Sequence, residues 1–580
     1  MSNTTPKRGR LGIPEIIEVR RSDPVYMAHA YLTKVPVPAI APFIEAFTSP
    51  GDVVLDPFAG SGMTGVAAAA TSRRARLFDV SVLGRHIGSN YVNLVDPDHL
   101  RKRADEMVLA TQERLGDVYS VECVNCRMQA RLVKTVWSVV IECDACGDPV
   151  NFYEALERAD WDKKNMRCPS CAGGFSTRGR RVGEQPVIDS IACNCASTQM
   201  EQPWSPVDQA EEWSGLEVPD LPISEDRQMY VASALGRHDL TTTGSFFSPR
   251  NLAVLAVLKD ELERVPEADL RDKLRFAFTA ILTRASKRYQ WSRKRPLNAA
   301  NSNYYVAPVF YEWNVYDLFG RKVEAAIKAD EWIREARGMG TLFEPGDIDV
   351  RYDLATAREL PLEDDSVDYV FMDPPFGSNI FYSDMNLFQE AWLGQTTDPS
   401  QEAVVDRVDT GMDRTPERYE DLLKDAFSEC KRVVKPGGAI TIIFGNSSGA
   451  MWALLQRAIA GAGLAVDPEL ITILDKGQRS VKGLASGFEN VATLDLVLTL
   501  RAAEHSGPRT SAPSTNEVES IVDEILSANE KVTPSHVYLE LLKAGIHANW
   551  DLSTLDLKHV SDHLHAAERD INRKTAEITS

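Results

Sequence analysis

An α/β fold built on a largely parallel sheet is predicted by three features of the chain. Short runs rich in β-branched and aromatic residues end in an acid: "DVVLD" at 52–56, "ARLFD" at 75–79 and "VDYVFMD" at 367–373. Such near-continuous apolar runs suit strands buried on both faces. A glycine-rich turn, "PFAGSG", leaves the first run and opens the helical "MTGVAAAAT". Open α/β sheets take their ligands at the carboxyl ends of strands, which is where this chain places Asp56, Asp79 and Asp373.

Taken in order, the sheet assembles from 52–56, 75–79, 347–352, 367–373, 439–444, 468–474 and 491–500. About 270 residues separate the second strand from the third. They hold a helical stretch (82–115), a cysteine-rich region, a Trp-, Pro- and acid-rich loop (201–225), and helices around 249–265, 268–287 and 313–337. At 580 residues the chain is expected to form about two to four domains. The expected divisions are 1–115 and 341–501 for the two halves of the sheet, 116–200 for the cysteine-rich region, and 201–340 for a helical insert. A Pro- and Ser-containing linker at 502–516 then leads to a small helical domain at 517–580.

Composition narrows the function classes. Apolar runs are too short to span a bilayer, and the first residues lack the apolar stretch of a signal peptide, so a cytoplasmic protein is expected. The net charge of −20 argues against an all-round basic surface, although nucleic-acid binding needs only a local positive track. "RASKRYQWSRKRP" at 284–296 supplies one: Arg284, Lys287, Arg288, Arg293, Lys294 and Arg295 can meet phosphates, while Trp291 stacks on a base.

Eight of the nine cysteines fall in pairs: Cys123 and Cys126, Cys143 and Cys146, Cys168 and Cys171, Cys193 and Cys195. In a cytosolic chain such pairs read as zinc sites rather than disulfides. Sixteen residues separate the first two pairs and twenty-one the last two. These lengths suit hairpins, so two tandem zinc ribbons holding two structural Zn2+ are expected, with the order of pairing open.

In "DVVLDPFAGSGMTG" the acid Asp56 stands directly before the turn Pro57, Phe58, Ala59, Gly60, Ser61, Gly62. A pyrophosphate would be repelled there, whereas the net cationic S-adenosylmethionine would not. Asp79, ending the second strand, is placed for ribose hydroxyls.

"DPFAGSG" and "DPPF" together resemble two motifs of the amino-methylating DNA methyltransferases. The chain is most similar to the adenine-specific DNA methylases that contain a zinc ribbon. "HAYLTKVPVPAIAPFIEAFTSPGD" at 29–52, "GSFFSPRNLAVLAVLKDEL", "DPPFGSNIFYSDMNLFQEAWLG" and "VVKPGGAITIIF" fit the same group, and the likeness covers about 26–500. The resemblance implies a class I (Rossmann-like) methyltransferase sheet carrying a large zinc-ribbon and helical insertion and a small C-terminal helical domain. Thr33, Thr64 and Ala357 would join the cofactor contacts. At 355–357 the family's usual Gly-Asp-Ala is Ala-Thr-Ala, which leaves an acidic contact to the cofactor's adenine unsupported.

A flipped adenine would then offer its amino group to Asp373 and the Pro374 carbonyl, with Pro375 stiffening the corner and Phe376 stacking on the base. Cytosine N4, an exocyclic amine of tRNA or rRNA, and a non-catalytic binding role are the alternatives. The family further implies DNA as the partner, a restriction-linked or defence role, and defence-protein contacts through the C-terminal domain.

Overall fold

The computed structural model describes residues 10–177, 179–204, 215–293, 304–338, 348–377, 380–476, 494–503, 511–528 and 533–562. Fourteen strands occur among them. One sheet contains β1 (Ile16–Glu18), β2 (Val53–Asp56), β3 (Arg74–Asp79), β10 (Val350–Leu354), β11 (Val367–Met372), β12 (Val434–Phe444), β13 (Leu464–Asp475) and β14 (Asp495–Ala502). A second contains β4 (Ser120–Glu122), β5 (Gln129–Glu142), β6 (Pro149–Asn151), β7 (Arg181–Ala192), β8 (Met200–Pro203) and β9 (Val309–Trp313).

The first sheet runs β1-β13-β14-β12-β11-β2-β3-β10. Neighbours are parallel except β14, which runs antiparallel to β12 and β13. All seven strands expected from the sequence are present. The short β1 is an addition, pairing Ile16 with Ile473 at the edge. Side chains alternate between two buried faces. Val54, Tyr369 and Phe371 pack with the helix Val37–Phe47, whereas Leu55, Val370 and Met372 pack under the helices Pro416–Val433 and Gly449–Gly461. Each fully buried aliphatic side chain there contributes about 1.5–3 kcal/mol. Because β2 and β11 are adjacent and parallel (Tyr369 opposite Val54), Asp56 and Asp373 emerge at the same edge.

The second sheet is organised around β5, which pairs along its length with β7 and also with β4, β6 and β9. Its core is shared with the helices Pro97–Leu115, Pro249–Glu263, Ala268–Ala285 and Val315–Ala336. The helices Thr515–Ala528 and Pro534–His547 lie in the C-terminal part. Tyr538, Leu542, Leu552 and Leu555 join the same core as Phe444, Trp452 and Ile473, so this part packs directly on the first sheet. Among the described residues no helix is long and apolar enough to cross a membrane.

Candidate active site and metal centres

The turn after β2 is shaped by two left-handed glycines, Gly60 (φ +49°) and Gly62 (φ +76°). Gly62 caps the helix Met63–Ala70, and a Cβ there would lie 2.6 Å from the Gly88 backbone. Asp56 accepts from the Thr64 hydroxyl at 2.5 Å and the Phe58 amide at 3.0 Å. Burial nevertheless pushes its carboxyl up to about 8, against the pull of those two bonds, with Asp79 and Asp373 adding repulsion. Asp79 accepts from the Gly60 amide at 2.8 Å and the Ser81 amide at 2.9 Å, while Tyr352 donates to the Gly60 carbonyl at 2.7 Å. Burial raises the Asp79 carboxyl as well.

At the end of β11, Asp373 is half-buried and Pro374 buried. The Pro375 carbonyl accepts from the Tyr419 hydroxyl, and the Phe376 carbonyl from Asn446 Nδ2 at 2.9 Å. The Phe376 ring meets Phe444 edge-on at 5.2 Å, and Phe444 meets Trp452 at 4.9 Å. Gly377 (φ +78°) follows, where a Cβ would lie 2.7 Å from Met451 Cε. The tetrapeptide is thus fixed from both flanks.

One cavity, with about 950 Å³ of empty space including its open mouth, joins the two motifs. Its wall contains Thr33, Asp56, Pro57, Phe58, Ala59, Gly60, Ser61, Thr64, Asp79, Ala357, Asp373 and Pro375. Gly62, Pro374 and Phe376 stand behind that wall rather than in it. The raised carboxyls of Asp56 and Asp79 along this wall suit a net cationic ligand. Several wall residues were not expected from the sequence. Tyr31 stacks on Tyr382 at 6.3 Å, and the Tyr382 hydroxyl bonds Thr33 Oγ1 at 2.8 Å. Ser81, Asn386 and Glu402 complete this side. The helix Tyr382–Leu393 buries Ser383, Asp384, Asn386, Gln389 and Glu390, a polar face that by pattern alone reads as solvent-facing.

The eight paired cysteines form two groups of four, and the pairing is nested: Cys123, Cys126, Cys193 and Cys195 in one group, Cys143, Cys146, Cys168 and Cys171 in the other. This corrects the tandem arrangement. β5 and β7 pair antiparallel from Arg131–Ala192 to Ile141–Arg181. The first and fourth cysteine pairs therefore meet at one end of the hairpin, and the second and third at the other. Sγ–Sγ distances of 3.5–3.8 Å are too long for disulfides and match the edge, about 3.8 Å, of a tetrahedron with 2.3 Å metal–sulfur bonds. Each group can hold one metal ion. Neighbouring amides draw Cys123 down to about 7 and Cys168 to about 6, whereas Cys126, Cys146 and Cys195, crowded by the other thiols, are raised.

The basic segment departs from expectation. Arg288 is an interior cation, 3% exposed and 4.9 Å above the Phe388 ring, and burial lowers it to about 10. It is not a surface phosphate ligand. Lys287 pairs with Glu184 at 2.7 Å, and Arg284 lies over Trp313 at 4.4 Å and Tyr289 at 4.9 Å. Trp291 packs against both Tyr153 and Trp161, which also touch each other, while the exposed Arg293 covers Trp161 at 5.2 Å. Lys294 and Arg295 lie outside the described residues. Trp291, which looked available for a base, instead joins this segment to the cysteine-rich region.

Residues 13–96 match a family model described as DNA methylase. That span contains β1, the Thr33 segment, the glycine turn and Asp79. "Putative methylase YubD" of Escherichia coli (strain K12) is 57% identical over 42 residues, which is 7% of this chain and 18% of that protein. The chain therefore matches under a fifth of that relative. Through the segment that forms one wall of the cavity, the chain is similar to the amino DNA methyltransferases, the enzymes that methylate adenine N6 or cytosine N4.

Proposed function

We propose that the protein is a DNA methyltransferase that transfers a methyl group from S-adenosylmethionine to adenine N6 of a flipped-out base. The observation that carries this reading is the single cavity walled by both "DPFAGSG" and the start of "DPPF". The strand order, with one antiparallel strand next to the edge pair, supports a class I sheet. S-adenosylmethionine would supply an electrophilic methyl group. Thr33, Asp56, the 57–62 turn and Asp79 would hold it, the two raised carboxyls regaining their charge beside a cation.

Asp373 is suited to accept one N–H of the target amine and the Pro374 carbonyl the other, drawing nitrogen lone-pair density out of the ring. Tyr419 and Asn446 hold the next two carbonyls, which fixes the direction of the clamp before substrate arrives. The half-buried Phe376 would stack on the base. The two cysteine groups are proposed to bind one structural zinc each, in a cytoplasmic protein whose insert contacts DNA. Methylating duplex DNA, then digesting to nucleosides for mass spectrometry, tests the product. N6-methyladenine is expected. N4-methylcytosine, or methylation confined to tRNA or rRNA, would replace the reading.

A further inference from the structure

We propose that Glu402 is a positioning residue for methyl transfer, clamping the start of the helix Tyr382–Leu393 so that Tyr382 and Asn386 hold the cavity wall in its working shape. The inference rests on the methyltransferase reading above and adds a residue in neither motif.

The start of this helix has a local deficit. A helix leaves its first amides without intrahelical partners, and Phe381, at the N-cap of this one, makes no side-chain cap. Glu402, twenty residues downstream of Tyr382, supplies what is missing. Its Oε1 accepts from the Tyr382 and Ser383 amides, and its Oε2 accepts from Ser383 Oγ at 2.6 Å. The carboxyl is 5% exposed at the cavity wall. Arg414, 3% exposed, reaches Oε2 at 3.3 Å and is itself shared with Asp406 at 2.7 Å.

From this anchor the helix touches both halves of the cofactor wall. At its first residue, Tyr382 bonds Thr33 and stacks on Tyr31. One turn on, Asn386 donates to Ser81 Oγ at 3.2 Å, and the Ser81 amide bonds Asp79 at 2.9 Å. Moving the helix start would therefore move the Thr33 and Asp79 walls relative to Asp373.

Glu402 also faces Asp384, which repels it and is itself paired with Arg227 at 3.0 Å. The Tyr304 and Tyr382 hydroxyls lie within the same field. Burial outweighs Ser383 and Arg414 and holds the carboxyl up to about 7. The sign follows. Relative to the unfolded chain the fold favours protonated Glu402, so its share of stability is present at low pH and lost as pH rises through 7. Oε1 can accept from both amides in either form, whereas the charge that meets Arg414 at Oε2 prevails only above that value.

The test is Glu402→Gln, which keeps an acceptor of similar shape and removes the charge. Wild-type kcat should fall tenfold per unit below pH 7 and level off above it. The variant should be flat from pH 6 to 8, at least tenfold below the wild-type plateau, with S-adenosylmethionine affinity within threefold. Hydrogen exchange of the 382–393 peptide, corrected for intrinsic rates, needs no substrate. Opening the helix start returns Glu402 to the ordinary carboxylate range, so the wild type should gain protection between pH 8 and 6, and the variant, with no proton to bind, should show no such change. A variant with wild-type kcat and pH profile, or with the same pH-dependent protection as the wild type, overturns the proposal. Intact pH-dependent protection in a wild type that methylates no nucleic acid places the failure in the methyltransferase reading instead.

Discussion

The two sheets solve the problem of bringing distant residues together in different ways. In the eight-stranded sheet β2, β3, β10, β11 and β12 run parallel, so every carboxyl end reaches the same edge whatever the distance in sequence. Asp56, Asp79 and Asp373 meet there because of strand direction alone. The six-stranded sheet is antiparallel, so which ends meet depends on which strands pair and in what register. β5 pairs with β7, and the cysteines are sorted accordingly. A parallel sheet makes its site robust to insertions, whereas an antiparallel one makes its cysteine groups depend on register.

That contrast can be broken first at the edge that carries Asp373. Asp373→Ala should cut kcat by about 10²–10³-fold with S-adenosylmethionine affinity nearly unchanged, since the lost acceptor matters most in the transition state. Calorimetry beside turnover checks it, and full activity would end the clamp. The nested cysteines give the next largest effect. Elemental analysis should find two zinc ions per chain. The double variant Cys143→Ser with Cys168→Ser should lose one and keep the other, whereas Cys123→Ser with Cys143→Ser should lose both. Tandem ribbons would give one ion lost in the second variant and two in the first. Metal loss should melt the end of the β5–β7 hairpin and leave the parallel sheet's unfolding transition in place.

Gly62→Ala places a Cβ 2.6 Å from the Gly88 backbone at a φ of +76°. It should destabilise by about 1–3 kcal/mol in chemical denaturation and weaken cofactor binding. The smallest effect is one of pH. With Asp56 raised to about 8 in the free protein, binding a cation requires its ionisation. Affinity should therefore climb with pH from 6 to 8, by at most about tenfold per unit, and Asp56→Asn should flatten that climb.

The parts legible in the sequence follow the same division. Strands such as "VVLD" and "VDYVFM" announce themselves because both faces are apolar, and a parallel sheet then needs no further information to place their ends. The nested cysteine pairing was not legible, because spacing alone is compatible with either hairpin. Nor was the buried polar face of Tyr382–Leu393, since Ser383, Asn386 and Glu390 are satisfied by partners at Glu402, Ser81 and Thr397. Arg288 was misplaced because a run without acids looks like a surface track, whereas its neighbours Tyr304 and Phe388 make it an interior cation. The three-residue β1 is too short to carry a pattern.

That same short strand bears on how the protein comes into being. Ile16 pairs with Ile473, a separation of 457 residues. At a synthesis rate of about 5–20 residues per second, the amino-terminal strand leaves the ribosome roughly half a minute to a minute and a half before its partner does. The cysteine-rich hairpin has all its strands within the first 203 residues except β9, so it can take up metal while the other sheet still lacks five strands. During that interval the apolar edge of the unfinished sheet is exposed to chaperones and to other nascent chains. Slowing elongation near the end of the message should therefore raise aggregation of this protein more than slowing it near the start.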